Sequence, residues 1–180
     1  MTGAVLEIWT APEAAAPMER TAAVQAVAGV GLAGDRYARG GGTWAAYPLL
    51  EKQVTLIDAG EVAAVAAEVG VPLTPGMTRR NVVTRGLALP ALVGRYFAVG
   101  DVLLFGSKRC PPCTHLERLT GFRLVKALAA RGGVNAAVFA GGTVAEGDVV
   151  RLVSDDEAAA RWGAPVGADR PVPRVVALPD

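Results

Sequence analysis

The sequence predicts a mainly β fold: a mostly antiparallel barrel that carries a few short helices. Three observations lead there. β-type runs are short and numerous, Gly-Asp pairs punctuate them at Gly100-Asp101 and Gly147-Asp148, and helical periodicity is confined to brief stretches. Regular alternation of strands with longer helices, the mark of a βαβ repeat, is missing, so a barrel with helical insertions is favoured.

In chain order, Gly3–Trp9 reads as a strand and Ala11–Arg20 as a loop holding Pro12 and Pro17. Thr21–Val30 alternates small and apolar residues and reads as a second strand, followed by a glycine-dense loop through Gly42. Gln53–Ile57 is a short β-type run. Asp58 is suited to cap a helix over Gly60–Val69, where Val62, Val65 and Val69 fall on one stripe. Pro72, Pro75 and Gly76 end it. Arg79–Val83 reads as a strand, and Tyr96–Val99 with Val102–Phe105 as a hairpin about Gly100-Asp101. Cys110–Gly121 is a loop running into a short helix with Leu116 and Leu119 inward, and Leu124–Ala130 is a second short helix. Val134–Phe139 and Val144–Val153 are again β-type. Residues 1–153 therefore make one domain. Residues 154–180 form a Pro-rich tail with at most one helical turn, near Ala158–Ala160.

Composition narrows the function. A chain of 180 residues with 52% apolar content builds one domain with a full core. A net charge of +1 gives no global pull toward nucleic acid or anionic membranes. The longest uncharged stretches, 21–34 and 132–145, are rich in Gly and Ala and fall short of the ~20 apolar residues of a membrane span. The start lacks a basic segment before its apolar run, and the two Cys are too few for a disulfide scaffold. The expected compartment is the cytoplasm, with no nucleic-acid or membrane partner.

Gly29-x-Gly31-x-x-Gly34 matches the dinucleotide-binding fingerprint by letter. That fingerprint needs a helix N-terminus to hold the pyrophosphate. Here Asp35-Arg36-Tyr37 and a glycine run follow, which do not start a helix. A Gly-rich barrel loop, or an anion nest completed by Arg36, accounts for the segment better.

The sharpest feature is Lys108-Arg109-Cys110-Pro111-Pro112-Cys113-Thr114-His115, which holds both Cys and the single His. A thiol at a helix start beside arginine has its thiolate favoured, and a thiolate is a nucleophile and a soft-metal ligand. A thioredoxin-like dithiol would need βαβ surroundings. A structural zinc site needs four ligands, and Cys110, Cys113 and His115 supply three. A single reactive Cys that ligates metal or carries sulfur is the third reading. Two cysteines packed as small hydrophobes is the fourth. Arginines recur beside glycines, at Arg79-Arg80-Asn81, Arg85-Gly86, Arg109 and Arg131-Gly132-Gly133, where guanidinium can clasp phosphate.

Taken in order, these pieces resemble a MOSC domain, the C-terminal module of molybdenum cofactor sulfurases that also occurs as small stand-alone bacterial proteins. The resemblance is carried by Gly34-Asp35-Arg36, Gln53–Ile57, Arg79–Val83, Leu92-Val93-Gly94-Arg95-x-Phe97, Val99-Gly100-Asp101, Arg109–Cys113 with His115–Gly121, Arg131-Gly132-Gly133 and Gly147-Asp148. It implies a MOSC, pyruvate-kinase-barrel-like fold and a Cys-centred site that binds a molybdenum–molybdopterin cofactor or passes sulfur to it. Related proteins that hold the cofactor reduce N-hydroxylated compounds. By this resemblance Cys113, with Cys110 as the alternative, is the catalytic thiol and metal ligand. Arg36, Arg79, Arg80, Asn81, Arg109, Arg131 and Gly132 would bind the cofactor. The alternatives are a persulfide sulfur carrier, fed by a cysteine desulfurase, and a non-catalytic cofactor carrier. Pyridoxal phosphate belongs to the desulfurase half of fused relatives and is not expected in this chain. No flavin or Fe–S motif is present, so a reductase would draw electrons from a donor protein. Tyr37 stands where the family often has His.

Overall fold

The computed structural model describes residues 2–43 and 52–167, so the end of the Pro-rich tail lies outside them. Eleven strands are described: β1 (Thr2–Thr10), β2 (Glu19–Thr21), β3 (Ala23–Val27), β4 (Gly31–Leu32), β5 (Val54–Asp58), β6 (Val82–Arg85), β7 (Tyr96–Val99), β8 (Val102–Arg109), β9 (Val134–Ala140), β10 (Gly142–Ala145) and β11 (Val149–Leu152). Four helices accompany them: α1 (Ala59–Val69), α2 (Thr114–Thr120), α3 (Val125–Leu128) and α4 (Asp155–Trp162).

The large sheet runs β11-β7-β8-β9-β5-β6-β1, and β1 pairs back to β11, which closes a seven-strand barrel. β2 attaches to β1, and β10, β3 and β4 form a small second sheet. Among the described strand pairs only β5–β6 is parallel, beside one isolated parallel bridge between Val93 and Gly106. A parallel pair needs a crossover, and α1 supplies it. The mainly β, mostly antiparallel barrel expected from the sequence is the fold observed. Among the described residues, no helix is long and apolar enough to cross a membrane.

Strand alternation sorts the core. Leu56, Val82, Phe97, Val99 and Leu104 point into the barrel. Their neighbours Ile57 and Val83 point out, under the helices, with Val62, Val65, Leu116, Leu124 and Leu128. Tyr96, Ala98 and Leu103 form a third cluster with Val153, Ala158 and Ala164. All four residues of β7 are buried, because both faces of the strand are covered.

Several boundaries differ from expectation. The Thr21–Val30 strand breaks at Ala22, so β2 stays on β1 while β3 enters the small sheet. Arg79–Val83 begins as strand only at Val82, since Arg79 closes a 3₁₀ turn over Gly76–Thr78 at φ 60°. The Val144–Val153 run splits at Gly147, whose φ of 91° makes the turn. The second short helix spans Val125–Leu128 rather than Leu124–Ala130. Leu119 is 40% exposed, not inward, because only Leu116 of that pair faces the core. Helix α4 runs two turns where one was expected. The Ser154 hydroxyl caps it by accepting from Glu157 N–H, Ala158 packs on the barrel, and Arg151 forks onto Glu157. Its approach is fixed by Tyr96, whose hydroxyl donates to Pro165 O at 2.8 Å and whose ring meets Phe105 and Phe139 edge-on.

The Asp58 carboxylate accepts from Gly60 N–H at 2.8 Å and Glu61 N–H at 3.2 Å, the cap foreseen from sequence. Asp58→Ala leaves those donors to water and costs about 1 kcal/mol. Thermal unfolding of the variant should show Tm lower by about 2–4 °C.

Candidate functional site

The Gly29–Gly34 segment turns twice and starts no helix. Gly31 has φ 125°, and a Cβ there would lie 2.7 Å from Gln53 O. Gln53 holds the loop down, donating to Gly29 O at 2.7 Å and accepting from Val138 N–H at 2.7 Å. These glycines therefore serve close packing on the barrel rim, and the dinucleotide reading fails.

The loop delivers Asp35 to a buried position with no solvent exposure. One carboxylate oxygen accepts from Ala11 N–H, from Arg36 Nη1 and from Asn81 Nδ2, at 3.1, 3.0 and 3.1 Å. The other accepts from Tyr37 N–H at 3.2 Å. Arg36, 4% exposed, also donates through Nη2 to Arg79 O at 3.0 Å. Its guanidinium lies over the Tyr37 ring, 5.1 Å from the centroid. Burial pushes the Tyr37 phenol above its ordinary value, although Arg36 opposes this. Asn81 completes the frame, its side-chain oxygen accepting from Thr55 N–H and Oγ while its amide donates to Trp9 O.

Across from this frame, the cysteine loop is clamped from behind. Arg80 donates to Gly132 O at 2.8 Å and to Cys110 O at 3.0 Å. Cys110 N–H donates to Gly133 O at 2.8 Å. The loop sits so close that a Cβ on Gly132 would lie 2.4 Å from Cys110 O. Cys110 is buried and Cys113 half-buried, both as free thiols. Cys113 stands immediately before α2 in extended conformation.

Between frame and loop lies a cavity of about 570 Å³. Both thiols line it, together with Arg36, Lys52, Arg79, Arg80, Lys108 and Arg109, and among the described residues no carboxylate does. Thr55, Asn135 and Lys108 form part of one wall, because the strand registers pair Asn135 with both of the others. Arg79 donates from Nη1 to Ala16 O at 2.7 Å, while its buried Nη2 finds no partner among the described residues. Burial, then Arg36, pulls its guanidinium below the ordinary arginine value. A cavity whose described charged lining is all cationic, with arginines crowded enough to oppose one another's charge, has the electrostatics to attract an anion.

Of the residues singled out from sequence, Arg36, Arg79, Arg80, Arg109, Cys110 and Cys113 meet at this cavity. Asn81 lies beneath it with its amide engaged in the frame, and Gly132 lies behind the loop. Arg131 stands apart, pairing with Glu68 and Glu61 at a separate cavity of about 380 Å³. Sequence reasoning did not single out Lys52, Thr55, Lys108 or Asn135 as site residues. The signal for two of them was a polar residue inside an otherwise apolar strand, Thr55 in β5 and Asn135 in β9. Among the described residues no three His, Cys, Asp or Glu converge as a metal cage, so Cys110, Cys113 and His115 do not make a structural zinc site.

Replacing Asp35 by Asn keeps its shape but leaves Arg36 buried without its counter-charge. The variant should lose about 3 kcal/mol or more, read by urea unfolding. His115 offers a pH test. Burial first, then Arg79, Arg118 and Arg36, holds its imidazole below the ordinary 6.5. The unfolded chain then takes up a proton before the folded one does, so stability falls as pH drops through 6.5. His115→Gln should flatten the difference in Tm between pH 7.5 and about pH 5; an unchanged difference would rule His115 out as its source.

The MOSC domain family model matches residues 31–151. Among solved structures, the YuaD protein from Bacillus subtilis superimposes with a TM-score of 0.73 at 18% identity, covering 84% of this chain and 96% of that one. YiiM from Geobacillus stearothermophilus gives 0.67 at 17% identity, covering 84% of this chain and 75% of that one. YiiM from Escherichia coli gives 0.64 at 19% identity, covering 94% and 81%. No curated protein matches. At these identities the structural likeness establishes the shared barrel alone, whereas the family model spans well over half of the sequence, from the glycine loop through the cysteine loop to β11: the chain belongs to the MOSC domain family.

Proposed function

We propose that the cationic cavity binds a molybdenum–molybdopterin cofactor and that the protein reduces N-hydroxylated compounds there. The observation that carries this reading is the joining of two free thiols to six cationic side chains in one cavity whose described lining holds no carboxylate. The donor set fits such a group. A phosphate-bearing ligand would neutralise the arginines and fill the open valence of Arg79 Nη2. A thiolate is a soft ligand suited to molybdenum. When bound, the cofactor supplies two-electron oxygen-atom chemistry.

The chain's own residues bind and orient. Arg79 and Arg109 offer guanidinium to the phosphate, with Arg36, held by Asp35 and Arg79 O, and Lys52 and Lys108 adding charge. Arg80 has donors turned to the carbonyls of Gly132 and Cys110, so its part is to hold the cysteine loop in place. Cys113 is the half-buried thiol and the proposed ligand; Cys110 is buried behind it. Electrons would come from a separate donor protein.

The presence of both thiols at one cavity also supports a sulfur-transfer reading. In it, the Cys113 thiolate attacks the outer sulfur of a desulfurase persulfide. The donor's sulfur–sulfur bond breaks, the donor cysteine leaves as thiolate, and Cys113 holds the persulfide for transfer. A non-catalytic cofactor carrier would use the same cationic wall without turnover.

Elemental mass spectrometry separates these readings. The protein would be purified without oxygen from a host that makes the cofactor, beside Cys113→Ser. Molybdenum near one per chain in the wild type, reduced at least about tenfold in the variant, is the expected result for a thiolate ligand. Metal retained in Cys113→Ser moves the ligand to Cys110. Absent metal with persulfide on an intact peptide establishes sulfur transfer instead. Stoichiometric pterin without turnover of hydroxylamine-type substrates, given an artificial electron donor, leaves the carrier.

A further inference from the structure

A smaller chamber of about 60 Å³ adjoins the main cavity and shares Arg36, Tyr37, Arg79, Arg80 and Cys113 with it. His115 lines only the smaller one. Two of its lining residues each carry a buried polar atom without a partner among the described residues, Arg79 Nη2 and His115 Nε2. A buried donor left unmade costs about 1–3 kcal/mol, and more when it is charged. Two such atoms on one chamber are an arrangement that a ligand would relieve.

We propose that this chamber is a subsite for a small tetrahedral oxyanion of the phosphate or sulfate type, held by Arg79 Nη2 and His115 Nε2 beside the Cys113 sulfur. Charge selects an anion over water. Three guanidiniums border the chamber, no carboxylate is among its described lining residues, and Asp35, which pairs with Arg36, is fully buried. Arg80 is satisfied by main-chain carbonyls and Arg36 by Asp35 and Arg79 O, so Arg79 is the guanidinium with a donor to spare. The volume exceeds what one water needs, roughly 10–15 Å³ on the same measure. A neutral imidazole with a proton on Nε2 donates to an oxyanion as Arg79 does, so a single bound ion completes both atoms.

The oxyanion has two possible sources, a free inorganic ion or the phosphate of a cofactor in the larger cavity. Both satisfy the same donors. The subsite rests on the chamber and its two donors, whether or not molybdenum is present.

Calorimetric titration of cofactor-free, tag-free protein with sulfate and with inorganic phosphate tests this, with chloride at matched ionic strength as the control. Saturable one-site binding is expected, weakened about tenfold or more in Arg79→Gln and in His115→Leu, which carries no donor. The imidazole signal of the only histidine should move with the same isotherm at fixed pH in the wild type. Arg79 also anchors Ala16, so circular dichroism must show a folded variant; if it does not, His115→Leu carries the test, since Nε2 has no partner to lose among the described residues. Heats equal to the chloride control, or undiminished binding in His115→Leu, would overturn the subsite and leave water in the chamber. Repeating the titration on cofactor-loaded protein separates the sources. Persistent binding identifies a free ion, and binding lost only on loading identifies the cofactor's phosphate.

Discussion

The buried carboxylate of Asp35 is the interaction on which the site depends. It is the carboxylate paired with Arg36 among the described residues, and it also gathers Ala11 N–H from the end of β1, Tyr37 N–H from the glycine loop and Asn81 from the start of β6. Asn81 extends the same frame to Thr55 in β5 and to Trp9 O in β1. Three strands and a loop thus meet on one ion. A charge so deep is tolerable only because its donors are all in place. The frame then holds Arg36 and Arg79 at the cavity edge, where neither strand nor helix alone would put them.

The opposite wall is built by main-chain approach rather than by charge pairing. Gly132 and Gly133 let the cysteine loop lie against the barrel, and Arg80 fastens it by carbonyls. One arginine is thereby spent on structure while its neighbour Arg79 keeps an open donor. Adjacent residues of the same type have opposite duties, and Arg79 takes up its own from a left-handed backbone at φ 60°.

Much of the fold was legible in the sequence. The helix capped by Asp58, the hairpin about Gly100 and the strand of Gln53–Ile57 followed from local chemistry. The alternation of Leu56 inward and Ile57 outward is invisible in so short a run, because helices cover the outer face and leave both residues apolar. The cysteine loop was legible as chemistry, and its arginine neighbours were legible as a group. Their individual roles were not. Arg131 sits beside two glycines like the others, yet carboxylates on α1 capture it, and only the crossover path of that helix places Glu68 and Glu61 there. Thr55, Asn135 and Lys108 become neighbours through strand registers across 27 and more residues, which no local pattern announces. Helix α4 was under-read because its stability comes from the Ser154 cap and from Tyr96, and the latter lies on β7.

The closing pair of the barrel has a consequence for how the chain reaches this state. Residues Thr2–Ala4 of β1 find Val149–Arg151 only when nearly the whole domain has been synthesised. Until then the first strand presents an unpaired edge, and its early partners at β2 cover only the far end. Contacts of such sequence separation form slowly, since loop closure must precede the energy they return. While the chain is being made, this edge of β1 stays open until Val149–Arg151 arrive, although β6 covers the opposite edge earlier. An open edge of that kind is a place where another strand can pair before the barrel closes.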